Sequence, residues 1–136
     1  MAKAIAICNQ KGGVGKSTTA VNVGSYLAIA GLKTLLIDLD PQGNATTAAG
    51  ISRSGLEKDT YAVLVHQLPA LEAIRKTSID RLDLLPASLD LAGAETYLTS
   101  VENRETVLRQ VVDPLRASYD FLLFDCPPSL GLLTVN

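Results

Sequence analysis

Asn9-Gln10-Lys11-Gly12-Gly13-Val14-Gly15-Lys16-Ser17-Thr18 follows the apolar run Ala4-Ile5-Ala6-Ile7-Cys8 and opens a segment of helical periodicity. Three glycines within four positions remove the Cβ atoms that would hold the backbone off an anion, so successive N–H groups can turn inward around a phosphate. A helix beginning near Lys16 then points its unpaired N–H groups and positive dipole end at the same anion. Lys16 adds a mobile charge for terminal phosphates, and the Ser17 hydroxyl is suited to ligate an accompanying magnesium ion. The usual G-x-x-x-x-G-K-[ST] pattern is incomplete: Gln10 stands at its first glycine, and a second lysine, Lys11, comes next. A lysine there has no part in wrapping a phosphate, so it is either solvated or aimed at a phosphate from another direction.

Two further stretches bring carboxylates toward the same place. Thr34-Leu35-Leu36-Ile37-Asp38 is a second apolar run, emerging into Leu39-Asp40-Pro41-Gln42-Gly43-Asn44-Ala45-Thr46. Pro41 biases Asp40 toward an extended backbone, while Gly43 and Asn44 permit a turn. Asp38 and Asp40 are therefore expected at the carboxyl end of a strand parallel to the first, the edge where open α/β sheets bind ligands. Two carboxylates beside a polyphosphate repel it unless magnesium or water intervenes; the alternative is a pair of solvated loop side chains. Tyr119-Asp120-Phe121-Leu122-Leu123-Phe124-Asp125-Cys126-Pro127-Pro128 reads as a strand buried on both faces that delivers Asp125 to that edge, where with Ser17 it can hold magnesium.

In these residues the chain resembles the ParA/Soj/MinD group of deviant Walker ATPases, whose signature is the second lysine, here Lys11. The stretch from Asp38 to Thr46 is similar to the switch I of ParA/Soj proteins, whereas MinD-type members differ after the aspartate, which favours the partitioning branch. Pro127-Pro128 resembles the family's switch II, and Pro86 to Glu95 and Ser129 to Asn136 continue the similarity. The resemblance implies an α/β P-loop NTPase fold, a mostly parallel sheet with helices on both faces, with ATP and Mg2+ as ligands. Gly12, Gly13, Val14, Gly15, Lys16, Ser17 and Thr18 would cradle the phosphates, with Lys16 neutralising the β and γ oxygens. Ser17 and Asp125 would hold magnesium, with Asp38 in its outer sphere. Asp40 would orient the attacking water, and Lys11 would reach the nucleotide of a partner subunit in an ATP-sandwich dimer.

The same resemblance implies a homodimer on ATP binding, a ParB-like activator, non-specific DNA contacts through residues outside this chain, and a role in chromosome or plasmid partitioning. A MinD-like nucleotide-gated scaffold and an inactive nucleotide-binding fragment are the alternatives. Family members run well past residue 136, so residues 1–136 are expected to be the N-terminal part of the domain, truncated after the Walker B strand. In the family's sheet the first strand lies between the Walker B strand and a later one. Lacking that later strand, the segment alone is expected to be marginally stable or to aggregate.

Composition bounds the rest. A chain of 136 residues suits one domain. With 12 Lys and Arg against 14 Asp and Glu, and a pI near 5.3, no strong field attracts nucleic acid or an anionic membrane. Cys8 and Cys126 adjoin apolar strands without metal-ligand spacing, which suits buried thiols in a reducing cytoplasm. No basic leader and no membrane-length apolar run is visible, so a cytoplasmic location, nucleoid-associated by resemblance, and no membrane partner are expected.

The spacing of Ala20, Val23, Leu27 and Ala30 predicts a helix from Lys16 to Ala30, with Gly24 allowing close packing and Gly31 a left-handed stop. Residues 50–60 read as an exposed connector. Asp59 or Thr60 is expected to cap a helix through His66, an ordinary helix residue, and Pro69 to begin another running to about Lys76. Arg81 to Pro86 reads as a strand. Ser88 is expected to cap a helix through about Leu98, and Asn103 another with Val107, Leu108, Val111 and Leu115 on one face, ended or kinked by Pro114.

Overall fold

The apolar runs become the strands of one sheet. In the computed structural model, which describes residues 2–7, 16–53, 57–93 and 107–126, these are β1 (Lys3–Ile7), β2 (Thr34–Asp38), β3 (Arg75–Lys76), β4 (Leu82–Leu85) and β5 (Phe121–Asp125). Their order is β1-β5-β2-β4-β3, all parallel except β3, which runs antiparallel to β4. Residues 8–15, with Cys8, Lys11, Gly12, Gly13, Val14 and Gly15, lie outside the described residues, as do Asn103, Pro127, Pro128 and the side chains of Lys16 and Ser17.

The sheet is covered on both faces. Alternation along the strands sends Leu35, Ile37, Leu122 and Phe124 to one core and Leu36, Leu123, Leu82 and Leu84 to the other. The first core is closed by α3 (Thr60–Val65), α4 (Ala70–Ala73), a 3-10 turn at Leu89–Gly93 and α5 (Val107–Val112); the second by α1 (Lys16–Ile29) and α2 (Asn44–Ala48). Burying both faces is what the unbroken apolar runs of β2 and β5 require. Among the described residues no helix is long and apolar enough to cross a membrane.

Helix α1 docks on its smallest residues. Ala20, Gly24 and Ala28 face the sheet, and a Cβ at Gly24 would lie 3.0 Å from Leu82 Cδ1. Close approach selects this stripe over the larger side chains, so Val23 and Ala30, expected on the packed face, point outward. Gly31, at φ 92°, ends the helix as expected.

Other elements depart from the sequence reading for local reasons. The helix from Pro69 stops at Ala73, because Ile74 turns extended and Arg75 and Lys76 pair with Leu84 and Asp83 of β4. Ser88 caps nothing: its Oγ makes no hydrogen bond, and the turn that follows is 3-10 over Leu89–Gly93. Asp59 does cap α3, accepting from Ala62 N at 2.9 Å. Helix α5 gives way to a 3-10 turn at Asp113–Leu115, where Pro114 has no N–H to donate.

Among the described residues β1 is an edge strand, bonded only to β5. Its alternation is correspondingly uncovered, with Ile5 41% exposed despite its apolar side chain. On α1, Val23, Tyr26 and Ile29 are also exposed.

Candidate functional site

Ile7, Asp38 and Asp125 end three adjacent parallel strands at one level. Ile7 and Asp38 are both register partners of Asp125, which sits between them. Bridging hydrogen bonds continue past the strand ends, from Cys126 N to Ile7 O (3.1 Å) and from Leu39 N to Asp125 O (3.0 Å). Strand β1 ends at this edge with Ile7, and α1 begins at Lys16, so strand, Gly-rich sequence and helix follow one another in the order that a phosphate cradle needs.

Asp38 is fully buried and fully engaged. Its Oδ1 accepts from Asp40 N at 3.0 Å, and its Oδ2 accepts from Thr46 N at 2.9 Å and from the Thr46 hydroxyl at 2.7 Å. The Thr46 hydroxyl in turn accepts from Ala87 N at 3.0 Å, joining the end of β2 to the exit of β4. The Thr60 hydroxyl lies 3.0 Å from Asp38 O and 2.9 Å from Pro86 O, tying the same two segments. Burial pushes the Asp38 carboxyl up to about 6 against the lowering effect of the Thr46 bonds, and the neighbouring Asp125 charge adds to the rise.

Asp40 is 5% exposed and is held by a tight turn. Its Oδ1 accepts from Gln42 N at 3.0 Å, and its carbonyl accepts from Gly43 N at 2.8 Å. Gly43, at φ 65°, starts α2, a conformation that Gly adopts without strain. Arg53 closes this loop from outside, donating from Nη2 to Pro41 O (2.7 Å), from Nη1 to Gln42 O and from Nε to Ala87 O (3.2 Å). Sequence reasoning missed both Arg53 and Thr46. Nothing local marks Arg53, which lies in a stretch of small polar residues; only the fold brings it back over residues 41–43.

Of the other expected site residues, Thr18 is exposed in the first turn of α1, and Lys16 begins that helix. Asp125 is wholly buried and stands next to the strand that enters the Gly-rich loop. Magnesium suits this donor set. Among the described residues no cluster of three or more His, Cys, Asp or Glu could hold a metal ion by itself, whereas magnesium takes one or two carboxylates and completes its shell from phosphate oxygens and water. Both Asp38 oxygens already accept hydrogen bonds from the loop. An apolar cavity of about 590 Å3, lined among others by Leu64, Leu68, Leu71, Val111 and Leu115, includes none of the candidate residues.

A family model described as an AAA domain matches residues 2–136. The sporulation initiation inhibitor protein Soj of Bacillus subtilis (strain 168) is 48% identical over 136 residues, which are 100% of this chain and 54% of Soj. The chromosome partitioning protein ParA of Myxococcus xanthus (strain DK1622) is 48% identical over 132 residues, 97% of this chain and 47% of that protein. Among solved structures, a cobyrinic acid a,c-diamide synthase of Mycobacterium smegmatis with bound ATP analogue and magnesium superposes with a TM-score of 0.95 at 40% identity, covering 100% of this chain and 55% of that one. The chain therefore spans about half the length of the relatives it matches.

Proposed function

The chain belongs to the AAA-domain family and, within it, forms the N-terminal part of a ParA/Soj-type partitioning ATPase, and from that premise we propose that the whole protein hydrolyses ATP to drive chromosome or plasmid segregation. The observation that carries this reading is the common level of Ile7, Asp38 and Asp125 at the ends of adjacent parallel strands.

The reaction is in-line attack of water on the γ-phosphate, which needs positioning and charge neutralisation more than covalent help. Gly12 to Thr18 wrap the phosphates, and Lys16 neutralises oxygens of the β and γ groups. Ser17 and Asp125 would hold magnesium, which supplies further neutralisation of the phosphate charge. Asp38 would stand in the outer sphere of that ion, and it fixes the loop through Asp40 N and Thr46. Asp40 orients the attacking water from the turn it shares with Gln42 and Gly43. Lys11 acts across a dimer interface on the partner's nucleotide, a counterpart of an arginine finger. Dimerisation on ATP, a ParB-like activator, DNA contacts from the rest of the protein and a cytoplasmic, nucleoid-associated location complete the proposal.

Variants of the full-length protein test it. Lys16→Ala is expected to abolish ATP binding. Asp40→Ala is expected to keep binding but accumulate an ATP-bound dimer, seen as a larger species in light scattering with ATP. Wild-type turnover in Asp40→Ala would remove Asp40 from the water-orienting role.

A further inference from the structure

We propose that Arg53 is a positioning residue for hydrolysis, acting on the loop that carries Asp40; this rests on the ATPase reading above. The side chain comes from the connector after α2, yet all three of its acceptors are backbone carbonyls elsewhere: Pro41 and Gln42 on the Asp40 loop and Ala87 after β4. A planar guanidinium can serve three carbonyls on two segments at fixed angles, which a lysine ammonium cannot do with the same geometry.

The loop is built to receive it. A Cβ at Gly43 would lie 2.4 Å from Arg53 Cζ and Nε, so the guanidinium lies against bare backbone. Asp38 holds the loop from inside at Asp40 N, and Arg53 holds it from outside at the next two carbonyls. Ala87 is common to both restraints, since its N–H donates to Thr46, which donates to Asp38, while its carbonyl accepts from Arg53. Asp40 is thereby clamped between the ends of two strands. Without Arg53, Pro41 and Gln42 lose their outer restraint, and the backbone that carries Asp40 can shift, displacing its carboxylate from the water it orients. A displacement on the order of 1 Å is enough to slow a reaction of this kind roughly tenfold to a hundredfold.

The test uses the full-length protein and compares Arg53→Ala, Arg53→Lys, Asp40→Ala and the double variant Arg53→Ala/Asp40→Ala. Affinity for a fluorescent ATP analogue and single-turnover hydrolysis are measured for each, after circular dichroism establishes that each is folded. Arg53→Ala and Arg53→Lys are expected to bind the nucleotide as the wild type does and to hydrolyse at least tenfold more slowly. Added guanidine, at concentrations well below denaturing, is expected to restore part of the Arg53→Ala rate. In the double variant the Arg53 change should cost nothing beyond Asp40→Ala, because it acts through Asp40. Hydrolysis by Arg53→Ala at the wild-type rate, recovery by lysine alone, an equal fall in binding and hydrolysis, or full additivity in the double variant would each overturn the proposal. Where Asp40→Ala is slow and Arg53→Ala is not, only Arg53 falls. Wild-type turnover in Asp40→Ala removes Asp40 from the water-orienting role and overturns the Arg53 proposal with it, while the ATPase reading stands. Failure of Arg53→Ala to fold moves the same tests to Arg53→Gln, which keeps one donor group.

Discussion

Asp38 and Asp125 stand opposite each other as register partners on adjacent parallel strands, both excluded from solvent. Burial, with the Asp125 charge adding to it, pushes the Asp38 carboxyl up to about 6 from an ordinary 3.8. Between those values the unfolded chain has released its proton while the folded chain still keeps it. The Asp38 contribution is therefore complete below about pH 4, declines as pH rises, and is lost above about pH 6, a fall on the order of 3 kcal/mol. Urea unfolding of the full-length protein in magnesium-free buffer at a series of pH values measures this. Asp38→Asn lowers stability overall by disturbing the Thr46 bonds, but its stability should decline less steeply than the wild type's between pH 4 and 6. Equal slopes would show that Asp38 does not carry the shift.

Gly43 is constrained twice, by its left-handed φ of 65° and by Arg53 lying where a Cβ would go. Gly43→Ala is expected to cost about 1 to 2 kcal/mol, since alanine is strained at positive φ and must also displace the guanidinium. Combining it with Arg53→Ala should cost less than the two changes summed, because the steric share vanishes with the arginine. Urea titrations of both single variants and the double variant read this coupling directly.

Which features were legible in the sequence follows from how local their causes are. Unbroken apolar runs announced β2 and β5, because a strand buried on both faces has no polar alternation to dilute the signal. The carboxylates at their ends followed from strand direction alone. On α1 the close packing at Gly24 and the burial of Ala20 were legible too, but the spacing also places Val23 and Ala30 on the packed face, and the proximity of Leu82 selects the small-residue stripe instead. The sequence pattern carries the helix from Pro69 on to about Lys76, whereas Arg75 and Lys76 form β3, because the pairing that extends them comes from β4 and not from their own propensities. Thr46 and Arg53 escaped notice for the same reason: their partners, Asp38, Ala87, Pro41 and Gln42, converge only through the crossovers of the sheet.

The far edge of the sheet is held by a separate polar group. Tyr119 Oη donates to Asp83 Oδ2 at 2.7 Å, Lys33 Nζ lies 5.1 Å from the Tyr119 ring centroid, and Asp120 Oδ2 accepts from Lys33 N at 2.8 Å. Burial first, then the Asp83 bond and charge, push the Tyr119 phenol well above its ordinary range, so it stays a donor at physiological pH. Tyr119→Phe should cost about 1 to 3 kcal/mol by removing a bond to a charged acceptor. Because the group lies at the opposite ends of the strands from Asp38 and Asp125, ATP affinity should not change. A calorimetric scan alongside nucleotide binding separates the two outcomes, and weakened binding would mean that the strain reaches across the sheet.

Edge strand β1 makes a prediction whose sign depends on context. Its Ile5 is 41% exposed, and among the described residues nothing pairs with its outer row of backbone donors and acceptors. Such an edge is a template for self-association, and a lysine upon it is the usual remedy. In residues 1–136 expressed alone, Ile5→Lys is expected to lower self-association, measured as a fall in apparent mass by light scattering. If a later strand pairs with β1 in the full-length protein, the same lysine enters a covered position there and should cost about 2 kcal/mol or more of stability. If Ile5→Lys leaves the full-length protein's unfolding midpoint unchanged, β1 is an edge there as well, and the added strand lies elsewhere.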